Sequence, residues 1–182
     1  FDALDRDIER TMKAQSIPGV SLAVFQDGKV IYSKAYGVAS TETGAPVTTE
    51  TLFRLGSTAK IFTSAAAMKL ALDGKIRLDQ PVSTYAPELP ARLGAVTLSQ
   101  LLNMTAGLRD DAPMDGPHDE TALAANVRSW TEDRVLAEPG KLFSYANSAY
   151  VLAGYVLERA TRKKFADVID ELRLHRVEEH AV

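Results

Sequence analysis

Leu55-Gly56-Ser57-Thr58-Ala59-Lys60 leads into a stretch, Thr58 to Leu72, whose Ala, Met, Leu and Lys content predicts a helix. On a helix, positions three apart share a face, with Cβ atoms about 5–6 Å apart. The Ser57 hydroxyl and the Lys60 amine are therefore spaced as a nucleophile and the base that takes its proton, without a histidine. A blander reading makes Ser57 an N-cap and Lys60 a solvated lysine. Two features weigh against it. Ser57 sits where helix N–H groups and the macrodipole favour a developing negative charge. Ile61, Phe62, Ala65 and Met68 follow Lys60, so the lysine stem is expected to enter a buried, apolar setting.

A second motif, Tyr145-Ala146-Asn147, precedes another apolar stretch, Ser148 to Thr161. Read blandly, it is a loop ending in an Asn or Ser N-cap. Read chemically, a phenol near a lysine ammonium becomes a phenolate-like base and later returns the proton to a leaving group. Asn147 would then orient the lysine and hydrogen-bond a substrate carbonyl.

Around these motifs the chain reads as α+β. Leu4, Ile8 and Met12 recur at a four-residue step, predicting an amphipathic helix from Asp2 to Ala14. Pro18-Gly19 breaks it. Val20–Phe25 and Val30–Val38 predict two strands, and the Asp27-Gly28 pair between them is a strong hairpin signal. Leu52–Leu55 suggests a short extended piece, and Gly74 a helix stop. Thr97-Leu98-Ser99-Gln100 fits a capping box opening a helix through Met104. Residues 107–120, punctuated by Pro113, Gly116 and Pro117, are expected to form a surface loop. Helix is expected within Thr121–Leu136, a turn at Pro139-Gly140, a buried helix over Ser148–Thr161, and a last amphipathic helix marked by Phe165, Val168, Ile169 and Leu172. A lone two-stranded hairpin is marginal and wants further strands. The expectation is thus one incomplete domain over 1–182, with helix and hairpin in 1–56 and a mainly helical region in 57–182.

Composition narrows the function classes. With 182 residues, 46% of them hydrophobic, the chain can bury a real core. Its net charge of −3 comes from interspersed charges with no basic stripe, which argues against nucleic acid or an anionic membrane surface as partner. The lack of cysteine excludes disulfides and thiolate metal sites and leaves the compartment open. No apolar run reaches the roughly eighteen residues of a membrane span. The N-terminus reads as neither a signal peptide nor an initiator methionine, so localisation stays open. Asp110, Asp111, Asp115, His118 and Asp119 could ligate a metal, but a solvated acidic loop is the better reading, and no H-E-x-x-H supports zinc. His175 and His180 fall in a tail expected to be exposed. No metal or cofactor is expected. The missing G-x-S-x-G elbow disfavours an α/β-hydrolase triad.

Three segments taken in order resemble one known superfamily: Leu55–Lys60, then Leu101-Leu102-Asn103-Met104-Thr105-Ala106-Gly107-Leu108, then Pro139 through Ser148 with its Tyr145-Ala146-Asn147. The chain is similar, from Ile17 to about Asp170, to serine β-lactamases and penicillin-binding proteins. The nearest branch is class C β-lactamases, family VIII carboxylesterases and related D-amino-acid peptidases. The resemblance implies a β-lactamase/transpeptidase-like fold whose remaining sheet strands are missing from this chain. It implies Ser57 as acylated nucleophile, Lys60 as proton acceptor or relay, Tyr145 as partner base and acid, and Asn147 as substrate and lysine contact. The implied substrate is a small-molecule ester, an amide, a β-lactam or a D-amino-acyl peptide, with esters the first expectation. An oxyanion hole would use the Ser57 N–H. One departure is serious: no K-T-G, K-S-G or H-x-G follows Asn147, and in that superfamily the strand carrying this motif supplies the second oxyanion donor. A smaller one is Ala106, where serine is common. The alternatives are a truncated, non-catalytic member, or a site completed by a second chain or copy.

Overall fold

The computed structural model describes residues 1–110, 119 and 121–171. It divides into two compact units, Phe1–Leu55 and a second beginning at Gly56.

In the first unit, α1 spans Asp2–Gln15. Asp2 and Asp5 in its first turn and Lys13 in its last complement the helix dipole. The inward stripe differs slightly from expectation: Ile8 and Met12 are half-buried together with Asp5, while Leu4 is exposed. Strands β1 (Gly19–Gln26) and β2 (Lys29–Gly37) form an antiparallel hairpin from Gly19 opposite Gly37 to Gln26 opposite Lys29. Asp27 and Gly28 both take positive φ, 51° and 76°, as a two-residue turn matched to strand twist requires. Tyr32, Lys34 and Tyr36 alternate onto one face of β2. All three donate to the Asp5 carboxylate, Tyr32 at 2.5 Å and Tyr36 at 2.6 Å. The Lys34 hydrogen bond, with those of the two phenols, holds the Asp5 carboxyl well below the usual range. Desolvation and the Asp5 hydrogen bond push the Tyr36 phenol up. Leu52–Leu55 does not form the expected strand, and Leu52 is almost wholly exposed. The chain after β2 instead folds back on itself: Val47 N–H donates to Gly37 O (3.0 Å) and Ala39 N–H to Ala45 O (2.7 Å).

The second unit is helical. A 3-10 turn over Gly56–Ala59 leads into α2 (Lys60–Leu72), followed by α3 (Ala91–Gly94), α4 (Leu98–Leu102), α5 (Ala122–Arg128), α6 (Asn147–Thr161) and α7 (Phe165–Glu171). The hub is α6, which packs against α2, α4, α5 and α7 and buries Leu152, Ala153, Tyr155, Val156 and Leu157. The buried Tyr155 phenol is satisfied by Glu88. At the end of α2, Gly74 N–H bonds to Ala71 O (3.0 Å) and Lys75 N–H to Leu70 O (2.9 Å), the paired closure of a Schellman motif. The capping box is present: Gln100 N–H donates to Thr97 Oγ1 (3.2 Å), and Thr97 N–H to Gln100 Oε1 (2.9 Å).

Several expectations are corrected here. The α-helix starts at Lys60, so Ser57 stands in the 3-10 turn before it. The buried face of α2 is Thr63, Ala66, Ala67 and Leu70, whereas Ile61 and Met68 are exposed. The buried face is the one that packs against α6 and α7. The helix opened by Thr97 stops at Leu102, because Met104 turns left-handed at φ 62°. Gly107 and Leu108 are not surface loop: Leu108 is buried and bridges Val135. The expected helix within Thr121–Leu136 is the seven-residue α5, then buried Trp130 and a 3-10 turn over Glu132–Arg134. Residues 111–118, the tail histidines and Leu172 lie outside the described residues. Among the described residues no acidic or histidine group could hold a metal, and no helix is long and apolar enough to cross a membrane.

Candidate active site

Two short segments bring the four candidate side chains together. Ser57 and Lys60 come from the 3-10 turn and the first residue of α2. Tyr145 and Asn147 come from the approach to α6 and its first residue. Backbone bonds fix that approach. Leu136 N–H donates to Gly107 O (2.9 Å), Gly140 N–H to Thr105 O (2.7 Å) and Ser144 N–H to Met104 O (2.9 Å). The segment Met104–Leu108 is thus a rail along which residues 136–144 lie. Gly107 makes the close approach possible: its φ is +68°, and a Cβ there would sit 2.4 Å from Ala137 O.

Lys60 Nζ donates to Ser57 Oγ (3.2 Å), Tyr145 Oη (2.7 Å) and Asn147 Oδ1 (2.7 Å). An ammonium has three N–H donors, and here each has an acceptor. Ser57 Oγ and Tyr145 Oη share a further hydrogen bond of 2.7 Å, closing a triangle of amine, phenol and hydroxyl. The Lys60 hydrogen bond, then the Ser57 hydrogen bond and the Lys60 charge, lower the pKa of the Tyr145 phenol, against opposition from desolvation and the Asp110 charge. The arrangement can take a proton from Ser57 and hold it on the phenol.

Sequence reasoning missed two residues that hold this network. Tyr150 lies one turn along α6 from Asn147, and its ring faces Lys60 Nζ at 5.6 Å, while the Tyr145 ring faces it at 4.9 Å. Tyr150 Oη is tied to Ser64 Oγ (3.0 Å) and Leu102 O (2.9 Å). The i, i+3 spacing of Asn147 and Tyr150 was the available signal. Asp110, weighed above only as a metal ligand, accepts the Asn147 backbone N–H at 2.6 Å. It therefore does what the bland reading assigned to Asn147 or Ser148: α6 has no side-chain cap of its own. Ser148 instead donates to Arg109 O at 2.6 Å and is fully buried. A contact spanning 37 residues leaves no local pattern.

Comparison with known proteins bears on the family and the fold. The family model described as Beta-lactamase matches residues 4–176. A β-lactamase of Providencia stuartii is 34% identical over 173 residues, covering 94% of this chain and 44% of that protein. Among solved structures, the D-alanine carboxypeptidase AmpC from Burkholderia cenocepacia is 33% identical with a TM-score of 0.73, over 93% of this chain and 46% of that one. A class C β-lactamase in complex with cefoxitin is 32% identical with a TM-score of 0.76, over 93% and 47%. The chain spans 34% to 44% of the length of curated relatives it matches. With a β-lactamase/transpeptidase-like fold and a family match along nearly its whole length, this chain belongs to the Beta-lactamase family.

Proposed function

We propose that Ser57, Lys60, Tyr145 and Asn147 are the acylation centre of a serine hydrolase acting on a carboxylic ester or amide. One observation carries the reading: a single ammonium is shared among a hydroxyl, a phenol and an amide oxygen, and it acidifies the phenol. In the forward step the Ser57 proton passes to the Tyr145 phenolate while Oγ bonds to the acyl carbon. The carbonyl π pair moves onto oxygen, which accepts from the Ser57 N–H. As this intermediate collapses, the bond to the leaving oxygen or nitrogen breaks, and Tyr145 returns the proton to it. Water repeats the sequence against the Ser57 ester, releasing the acid. Lys60 stabilises the phenolate whenever Tyr145 is deprotonated, and Asn147 holds Lys60.

Small acyl esters are the first substrates to try. The β-lactamase and D-alanine carboxypeptidase relatives support β-lactams and D-amino-acyl peptides through the same acyl-serine chemistry. A second reading is a non-catalytic chain, or a site whose second oxyanion donor comes from another chain or copy; the octameric penicillin-binding protein homologue from Pyrococcus abyssi, 27% identical with a TM-score of 0.76, supports the shared site. Loss of one oxyanion donor costs about 10²–10³ in rate.

Denaturing intact-mass spectrometry after incubation with a fluorophosphonate tests the proposal. The expected result is one adduct on the wild type and none on Ser57→Ala. An unmodified wild type refutes catalysis by the isolated chain. An adduct that forms only in a higher-mass species on size exclusion favours the shared site.

A further inference from the structure

Asp110 lies outside the four-residue network yet touches it at two points. Its Oδ1 accepts the Asn147 backbone N–H at 2.6 Å, and its Oδ2 faces the Asn147 side-chain Nδ2 at 3.4 Å. The strand of backbone that carries it is pinned on the preceding residue, where Arg109 N–H donates to Arg134 O (2.9 Å) and Arg109 O accepts from Ser148 Oγ (2.6 Å).

The chemistry of the two neighbours leaves the Asn147 amide one orientation. A carboxylate only accepts hydrogen bonds, so it meets the NH2 end. An ammonium only donates, so it meets the oxygen end, and Asn147 Oδ1 accepts from Lys60 Nζ at 2.7 Å. A neutral carboxamide at 110 would remove this constraint, because it can donate as well as accept. With the Asn147 amide turned over, Nδ2 would face the Lys60 ammonium donor to donor, and Lys60 would lose one of its three acceptors. Among the described residues, the charged groups facing the Tyr145 phenol are the Lys60 ammonium from α2 and the Asp110 carboxylate from the 104–110 segment; α6 presents neutral Asn147 and Tyr150 to Lys60.

We infer that Asp110 is a positioning residue: its carboxylate locks the Asn147 amide with Oδ1 toward Lys60, and so holds the Lys60 ammonium on Ser57 and Tyr145. The inference rests on the acylation centre proposed above, but one of its tests needs no turnover.

The test compares Asp110→Asn and Asp110→Glu in the full chain, with matched far-ultraviolet circular dichroism, and Tyr145→Phe as spectroscopic reference. Ultraviolet difference titration reads the Tyr145 midpoint. Lys60 influences this phenol more than Asp110 does, so losing the lock raises the midpoint in Asp110→Asn, and Asp110→Glu brings it back toward the wild type. If Asp110 acted through its charge alone, its neutralisation would lower the midpoint. A lowered or unchanged midpoint in Asp110→Asn overturns the inference. Should that variant lose its fold, Asn147→Ala takes its place, with the same rise expected and its absence equally fatal. Fluorophosphonate labelling of Ser57 is expected to slow about tenfold in Asp110→Asn. Failure of the wild type to label refutes the acylation proposal, while the titration still decides the role of Asp110.

Discussion

Each unit of this chain has a charged side chain with three polar partners, and the two hubs are built from similar residues. In the first, Asp5 receives Tyr32, Lys34 and Tyr36. In the second, Lys60 gives to Ser57, Tyr145 and Asn147. The phenols respond in opposite directions. Tyr36, buried against an anion, is pushed up and keeps its proton; Tyr145, hydrogen-bonded by a cation, becomes more acidic. The sign of the central charge, not the presence of Tyr and Lys together, separates a phenol that keeps its proton from the acidified phenol proposed above as the base.

The sharpest way to break this contrast is to remove each phenol oxygen in turn. Tyr145→Phe should slow fluorophosphonate labelling by about 10²–10⁴, whereas Tyr36→Phe should leave the rate unchanged and lower the melting temperature. Equal losses in both would erase the distinction. A stability control comes from the α6 hub: Leu152 is fully buried, and Leu152→Ala should cost about 3 kcal/mol in denaturant unfolding. Smaller again is the loss of the Thr97 cap, where Thr97→Ala should cost about 1 kcal/mol by the same measurement.

The pH dependences should diverge as well. Labelling should rise with pH through a midpoint below the ordinary phenol value of 10.0, because the proposed base is the deprotonated phenol; a flat profile that persists in Tyr145→Phe would contradict it. For the Asp5 hub, the folded carboxyl is depressed, so its contribution is present above the ordinary value of 3.8 and is lost as pH falls toward the folded value. Lys34 and Tyr36 are raised, so their contributions are complete below their ordinary values and lost as pH climbs past about 10. Thermal melts of Asp5→Asn against wild type should therefore differ most between these limits and converge in strong acid.

What the sequence made legible was local. The Asp27-Gly28 turn, the four-residue step of α1, the Thr97–Gln100 box and the buried run of α6 each depend on residues a few positions apart. The Ser57 and Lys60 pair is of the same kind. Tyr145 and Asn147 could be set beside that pair only through the order of the three motif segments, because sequence separations of 85 to 88 residues carry no periodicity. Asp110 escaped for that reason: an acidic residue among other acidic residues reads as solvated until a distant helix N-terminus is placed on it. The face of α2 was misjudged because Ile61 and Met68 are apolar by type, whereas the packed side is lined by Thr63 and small alanines.

The rail of backbone bonds under residues 136–144 separates two kinds of change. Leu136, Leu142 and Phe143 point large apolar side chains into solvent, while their segment is held by main-chain atoms of Met104, Thr105 and Gly107. Side chains there can be exchanged without shifting the register that delivers Tyr145. Substitutions of these side chains are therefore expected to leave the approach to Tyr145 in place, so this stretch can carry a mutational library, and Gly107 must be left alone.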